Sequence, residues 1–209
     1  MSHAAVLLAG GESSRMGRDK SALPVRGEPL WQHQLAILRA TDPAELFISG
    51  KSDGPYAGCG VEILADEFPG CGPLGGIATA LRRCRSDCLL VLAVDMPAMS
   101  AAFLRTLIVQ SRRHETGIVP SVAAVAERQA GIPRRGGSLA RMEPLAAIYL
   151  RAALAVAVEC LRVGERKLET FVRTLAVQNL AVIRPVEADE AALFANWNSP
   201  GDVRLPQTE

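Results

Sequence analysis

A three-layer α/β domain on a mostly parallel sheet is the fold class this sequence predicts, and three observations predict it. Short, wholly apolar runs recur along the chain, the mark of strands covered on both faces. Segments with apolar residues at helical spacing alternate with those runs. The two loops richest in chemistry each follow a strand-like run, where open α/β sheets place their ligands.

The first run, Ala4 to Ala9 (AAVLLA), leads into a Gly-Gly turn. Pro29 to Leu38 (PLWQHQLAIL) has helical spacing, with Pro29 near its start where a missing N–H is harmless. Glu45 to Ser49 (ELFIS) and Val61 to Leu64 (VEIL) read as the second and third strands. Pro73 to Arg83 reads as a helix opening within GPLGGI, again with proline in the first turn. Cys88 to Val94 (CLLVLAV) has the most buried pattern of all, Ala101 to Arg113 is an amphipathic helix, and Gly117 to Pro120 begins another strand. Residues 126–143, AERQAGIPRRGGSLARME, are polar, Gly-rich and basic without a period; they read as a long surface loop or a hairpin with a flexible tip. Leu145 to Tyr149 returns to strand, helices follow over Arg151 to Val163 and Lys167 to Leu175, and Leu180 to Ile183 is the last strand. No internal repeat is evident.

A chain of 209 residues is expected to form one domain over 1–209 and to bury about 70% of its unfolded surface. The apolar share of 49% carries no disorder signature, and a net charge of +1 gives no overall field toward nucleic acid or an anionic membrane. Aromatic residues are only 4%, too few for a stacking platform on single strands. Met1-Ser2-His3 runs straight into the first strand, so no secretory signal is read and a cytoplasmic location is expected. The most apolar window, Pro144 to Leu161, is broken by Arg151 and Glu159 and reads as a strand followed by a helix rather than a membrane span. Five cysteines, at 59, 71, 84, 88 and 160, form no Cys-x-x-Cys pair and have no histidines at zinc spacing. They read as reduced structural thiols.

Two sites carry the functional signal. LLAGGESSRMGRDK, after the first strand, is neither a Walker A motif nor Gly-x-Gly-x-x-Gly. Gly10 and Gly11 nonetheless let backbone N–H groups approach an anion, and Arg15 and Lys20 supply charge-assisted hydrogen bonds to phosphate oxygens. The bland alternative is a solvated basic turn. The second site is VLAVDMPAMS, in which Asp95 ends an apolar strand and projects a carboxylate that wants a cation or donors. Mg²⁺ shared between one carboxylate and substrate phosphates would satisfy it; an N-cap or turn aspartate is the alternative. Together the two sites outline a nucleotide.

LLAGGESSRMGRDK also resembles the opening signature of the molybdenum cofactor guanylyltransferases (the molybdopterin-guanine dinucleotide biosynthesis protein A family). GPLGGI, VDMP, EPLAAIY and NWNSPGD resemble that family's later motifs in the same order, so the resemblance spans nearly the whole chain. It implies a three-layer Rossmann-like nucleotidyltransferase fold with a mostly parallel central sheet. GTP and molybdopterin or the molybdenum cofactor would be the substrates, Mg²⁺ the cofactor, and cofactor-recipient enzymes the candidate protein partners. By the same resemblance, Leu8, Ala9, Gly10 and Gly11 would line the guanosine and phosphate site, with Lys20 on the triphosphate. Asp66 would be a nucleotide contact, its alternative being a turn-forming aspartate, and Asp95 would hold the metal. Arg15, Gly17, Gly72, Gly76, Asn196 and Asn198 would lie toward the pterin, Asn198 being a second candidate for the metal. Lys20, Arg15 and Asp95 form the implied catalytic set. Two departures stand out: Ser49-Gly50 follows the second strand where some relatives place an asparagine for guanine, and the 126–143 segment is longer than expected.

An attacking phosphate monoester has a second pKa near 6, so no histidine base is needed. His33, within PLWQHQLAIL, reads as a surface or packing residue. The rival readings are cytidylyl or sugar-phosphate transfer on the same fold, and, in another class, a non-catalytic nucleotide or cofactor carrier.

Overall fold

The computed structural model describes residues 1–10, 22–25, 27–123 and 140–197. A central sheet runs in the order β10-β7-β9-β6-β1-β4-β5, with β8 paired to β7. Its strands are β1 (His3–Leu8), β4 (Glu45–Ser49), β5 (Glu62–Leu64), β6 (Cys88–Ala93), β7 (Gly117–Ala123), β8 (Ala140–Met142), β9 (Ala146–Leu150) and β10 (Ala181–Pro185). A separate small hairpin pairs β2 (Pro24–Val25) with β3 (Glu28–Pro29). Neighbours β5, β4, β1 and β6 are mutually parallel, as are β7 and β10. The exceptions are β9, antiparallel to both β6 and β7, and β8, antiparallel to β7.

The helices are α1 (Leu30–Arg39), α2 (Gly72–Arg83), α3 (Ala101–His114), α4 (Ala153–Arg162) and α5 (Leu168–Val177). Alternation within the buried strands sends residues to opposite faces. Ala5 and Leu7 join one core with Leu30, Leu35, Phe103 and Phe194, while Ala4, Val6 and Leu8 join the other with Leu74, Ile77, Leu81 and Phe171. Helices therefore cover both faces, and both strand faces are apolar for that reason.

Differences from the sequence expectations are local. Ala140–Met142, inside the segment expected to be loop or hairpin, pairs antiparallel with the last residues of β7; residues 124–139 between them lie outside the described residues. Within the main strand order, β9 alone is reversed, running antiparallel to both β6 and β7. The two-residue strands of the β2–β3 hairpin have no periodicity to read.

The chain leaves β1 toward β4 on one side, and later segments build outward from β6 on the other. Such a reversal makes the carboxyl ends of β1 and β6 the place for a ligand crevice.

Candidate functional site

Neighbouring strands β5, β4, β1 and β6 end side by side, and each is followed by a segment the sequence singles out. Gly50 N donates to Leu64 O at 3.3 Å, and Ala9 N and Gly10 N both donate to Ser49 O at 2.9 Å. Val94 N donates to Leu8 O at 3.1 Å, so the glycine turn and the Asp95 turn leave adjacent strands at one edge. Leu8, Ala9, Gly10, Asp66 and Asp95 are thus gathered at the carboxyl edge of the sheet. Gly11, Arg15, Gly17, Lys20 and Asn198 lie outside the described residues.

Each of these positions has a local physical reason. Leu8 is buried, with its carbonyl taken by Val94, and Ala9 is half-buried. The Gly10 N–H is spent on Ser49, so it belongs to the sheet; any amides offered to an anion come from further along the loop. Gly50 is required by packing, since a Cβ there would lie 1.9 Å from the Tyr56 hydroxyl oxygen. Ser49 is itself buried, with its Oγ 2.8 Å from where a Cβ on Gly76 would sit. Gly76 lies on the buried face of α2, which gives it a packing reason independent of any pterin contact.

Asp66 is exposed, and its Oδ1 accepts from Phe68 N at 2.8 Å, the bond of a turn-forming aspartate. One carboxylate oxygen is thereby used within the turn. Gly72, exposed at the start of α2, has φ +63°, a conformation that favours glycine. Just before it, the Gly70 carbonyl accepts from Arg166 Nη1 at 3.0 Å, tying the α4–α5 connection to this end of α2.

The Asp95 turn is held from several directions. Ala93 N donates to Leu145 O at 2.8 Å, and Trp197 N donates to Asp95 O at 2.9 Å. The backbone at Trp197 is therefore brought onto the turn, and Asn196 just before it is half-buried, as is Asp95. Trp197, which no sequence motif marks as functional by itself, supplies the bond. Glu143 is another such residue. It is almost fully buried at the start of the β9 segment, with Oε1 2.7 Å from Arg141 Nη2. Its only sequence signal was its place at the head of EPLAAIY.

The donor set suits a hard divalent cation that keeps ligands from its substrate. Among the described residues no group of three or more His, Cys, Asp or Glu side chains gathers to form a metal cage. Asp95 supplies one half-buried carboxylate at the crevice, which fits a metal completed by phosphate oxygens and water.

Other candidate groups fall outside this edge. His33 is largely buried, its Nδ1 3.3 Å from Glu28 Oε1, as befits packing. Cys84 and Cys88 are buried free thiols whose Sγ atoms contact the Ser86 and Ser2 carbonyls. Burial, with Glu45 beside Cys84 and Cys84 beside Cys88, pushes both thiols up to about 11. No described helix is long and apolar enough to cross a membrane.

Comparison with known proteins bears on the family and the fold. Residues 5–185 match the MobA-like NTP transferase domain family. The probable molybdenum cofactor guanylyltransferase of Opitutus terrae is 38% identical over 202 residues, covering 95% of this chain and 92% of that protein. Among solved structures, molybdopterin-guanine dinucleotide biosynthesis protein A from Archaeoglobus fulgidus superposes with a TM-score of 0.72 at 22% identity, covering 96% of this chain and 95% of its own. The 2-C-methyl-D-erythritol 4-phosphate cytidylyltransferase of Thermus thermophilus shares the fold as well, with a TM-score of 0.66 at 19% identity over 95% of this chain and 94% of its own.

Proposed function

Because the chain belongs to the MobA-like NTP transferase family, we propose that it transfers GMP from GTP to the phosphate of molybdopterin or the molybdenum cofactor, releasing pyrophosphate. Behind this stands one observation: the glycine turn and the Asp95 turn leave adjacent parallel strands at one edge, joined by the Val94–Leu8 hydrogen bond. A triphosphate laid across that edge meets both. Nucleotidyltransferases of this family generally use a divalent metal, and Mg²⁺ is the ion this donor set fits.

The reaction is an in-line displacement at the α-phosphorus of GTP. Its nucleophile is already largely dianionic at neutral pH, so the protein needs no general base. The obstacle is repulsion: two unit charges about 4 Å apart oppose each other by roughly 4 kcal/mol at an effective dielectric near 20. Lys20 and Arg15 would neutralise phosphate oxygens, and loop amides beyond Gly10 would add oriented donors. Asp95 would hold the metal, with Asn198 as a second candidate ligand; when bound, the metal supplies further positive charge at the triphosphate. Asp66 would contact the nucleotide. Gly17, Gly72, Gly76 and Asn196 would border the pterin.

Pyrophosphate release from GTP and molybdopterin tests the reading directly. Asp95→Ala and Lys20→Ala should each lower turnover at least about 100-fold, the scale of one lost electrostatic stabiliser. A thermal-shift panel of nucleoside triphosphates with Mg²⁺ tests the base, since a bound ligand stabilises the fold by mass action. Preference for CTP would replace guanylyl by cytidylyl transfer. Absence of any pyrophosphate release, beside an active control, would favour a carrier.

A further inference from the structure

α1 buries Leu30, Trp31, Gln34, Leu35 and Leu38, spacing that makes one continuous stripe on a helix facing the core. Four of those residues are apolar. Gln34 is the exception, and it has no exposed surface at all. Its Nε2 donates to the Met96 carbonyl, while its Oε1 is buried with no hydrogen-bond partner among the described residues. A buried acceptor without a partner carries the full desolvation penalty of the group. For stability alone, a methionine or leucine would serve this position better. What the glutamine gains is local: a grip on the peptide that follows Asp95.

That peptide belongs to a turn tied on every side. Ala93 N bonds Leu145 O, Val94 N bonds Leu8 O, Asp95 O accepts from Trp197 N, and Met96 O accepts from Met99 N as well as from Gln34. The other bonds are backbone to backbone, and Gln34 is a side chain reaching from a different layer of the fold. We propose that Gln34 is a positioning residue: by holding the Met96 carbonyl it fixes the turn that presents the Asp95 carboxylate to a divalent metal and its nucleotide. This rests on the role given to Asp95 above. Gln34 touches neither substrate nor metal; it acts through the backbone of the turn.

The test is Mn²⁺ binding by electron paramagnetic resonance in the presence of α,β-methylene GTP, together with thermal unfolding, on the wild type and on Gln34→Met. Methionine keeps the length of the side chain and removes both the donor and the orphan acceptor. The expected result is a Mn²⁺ dissociation constant raised about 10-fold, in line with one lost hydrogen bond, with an unfolding temperature equal to or above the wild type. Gln34→Glu, whose buried carboxyl stays protonated in apolar surroundings and can still donate to Met96, should bring Mn²⁺ affinity back toward the wild type. Wild-type Mn²⁺ affinity in Gln34→Met overturns the proposal. So does a fall in unfolding temperature with unchanged affinity, which would make Gln34 a packing residue. If Gln34→Met does not fold, Gln34→Leu takes its place, and failure of both to fold assigns the residue to the core. Asp95→Asn run in parallel separates the two claims. Should Asp95→Asn bind Mn²⁺ as the wild type does, the role of Asp95 fails; should it lose Mn²⁺ while Gln34→Met keeps it, only the role of Gln34 fails.

Discussion

Replacing Gly76 by alanine tests how tightly α2 is set against the carboxyl edge of the sheet. The added Cβ would stand 2.8 Å from Ser49 Oγ and 3.3 Å from Leu8 Cδ2, with Ser49 Cβ at 3.7 Å. Overpacking of a filled core costs about 1–3 kcal/mol, and alanine returns about 1 kcal/mol over glycine inside a helix. The net loss for Gly76→Ala is therefore roughly 0–2 kcal/mol. Most of the clash comes from one hydroxyl. In a Ser49→Ala background that atom is gone, and the same substitution should become neutral or stabilising by up to about 1 kcal/mol. Urea unfolding of the four proteins, compared at constant m, gives the coupling energy between the two positions. Gly75→Ala is the internal control, because its Cβ would meet the Phe68 carbonyl at 2.9 Å, a backbone atom that Ser49→Ala does not relieve. If Gly76→Ala is equally destabilising with and without the Ser49 hydroxyl, the close approach is not what keeps glycine there.

Gly117→Ala would place a Cβ 2.9 Å from both the Ile148 and Leu180 carbonyl oxygens; neither can rotate away, so a loss of about 1–3 kcal/mol is expected, read as a lower urea midpoint. Gly117 begins β7, at the end of the sheet away from the crevice, and activity per folded molecule should be unchanged. His3 is buried, with its Nδ1 3.3 Å from Arg112 Nη2 and its Nε2 3.3 Å from Thr41 Oγ1. Burial, then Arg112, hold it below 6.5, against a smaller upward pull from Asp42. The unfolded chain thus takes up a proton before the folded one does. His3 stabilises the fold above about pH 6.5, and that contribution is lost as pH falls from there through the lowered folded value. Thermal unfolding between pH 5 and 8 should show this, and His3→Asn should flatten the slope. Maleimide at neutral pH should label Cys59 and Cys71 before Cys84 and Cys88, whose thiols are buried and pushed up to about 11. Mass spectrometry showing Cys84 modified as fast as Cys71 would contradict that burial.

Strands that lie wholly inside the sheet were legible because both of their faces are apolar: ELFIS is the strand Glu45–Ser49 to the residue. Their direction was not legible. A run such as AAIYL has the same composition whichever way it points, and β9 runs antiparallel to both of its neighbours. At the site, Gly10 and Asp95 could be placed at strand ends by the alternation alone, whereas Asp66 was singled out only by the family resemblance. The bonds that give those ends their shape join residues far apart in sequence, such as Trp197 to Asp95 and Ser49 to Gly10. Gln34 was hidden for a different reason. It occupies a slot where helical spacing asks for an apolar residue, and only its bond to Met96 distinguishes it.

The Asp95 turn draws on four separate parts of the chain: β1 through Leu8, the approach to β9 through Leu145, the closing segment through Trp197, and α1 through Gln34. Backbone bonds supply three of those ties, so side-chain substitutions in β1 or ahead of β9 should reach Asp95 only by moving whole strands, with matching losses of stability. Gln34 is a different kind of tie, because removing it leaves the strands where they are. Disturbances that reach metal binding through the same turn should therefore be non-additive with one another. Once Gln34→Met has loosened the turn, shifting the Trp197 segment should add less than it does in the wild type. Fully additive losses would mean that the two contacts hold separate structures, and the turn would not be the unit that positions the carboxylate.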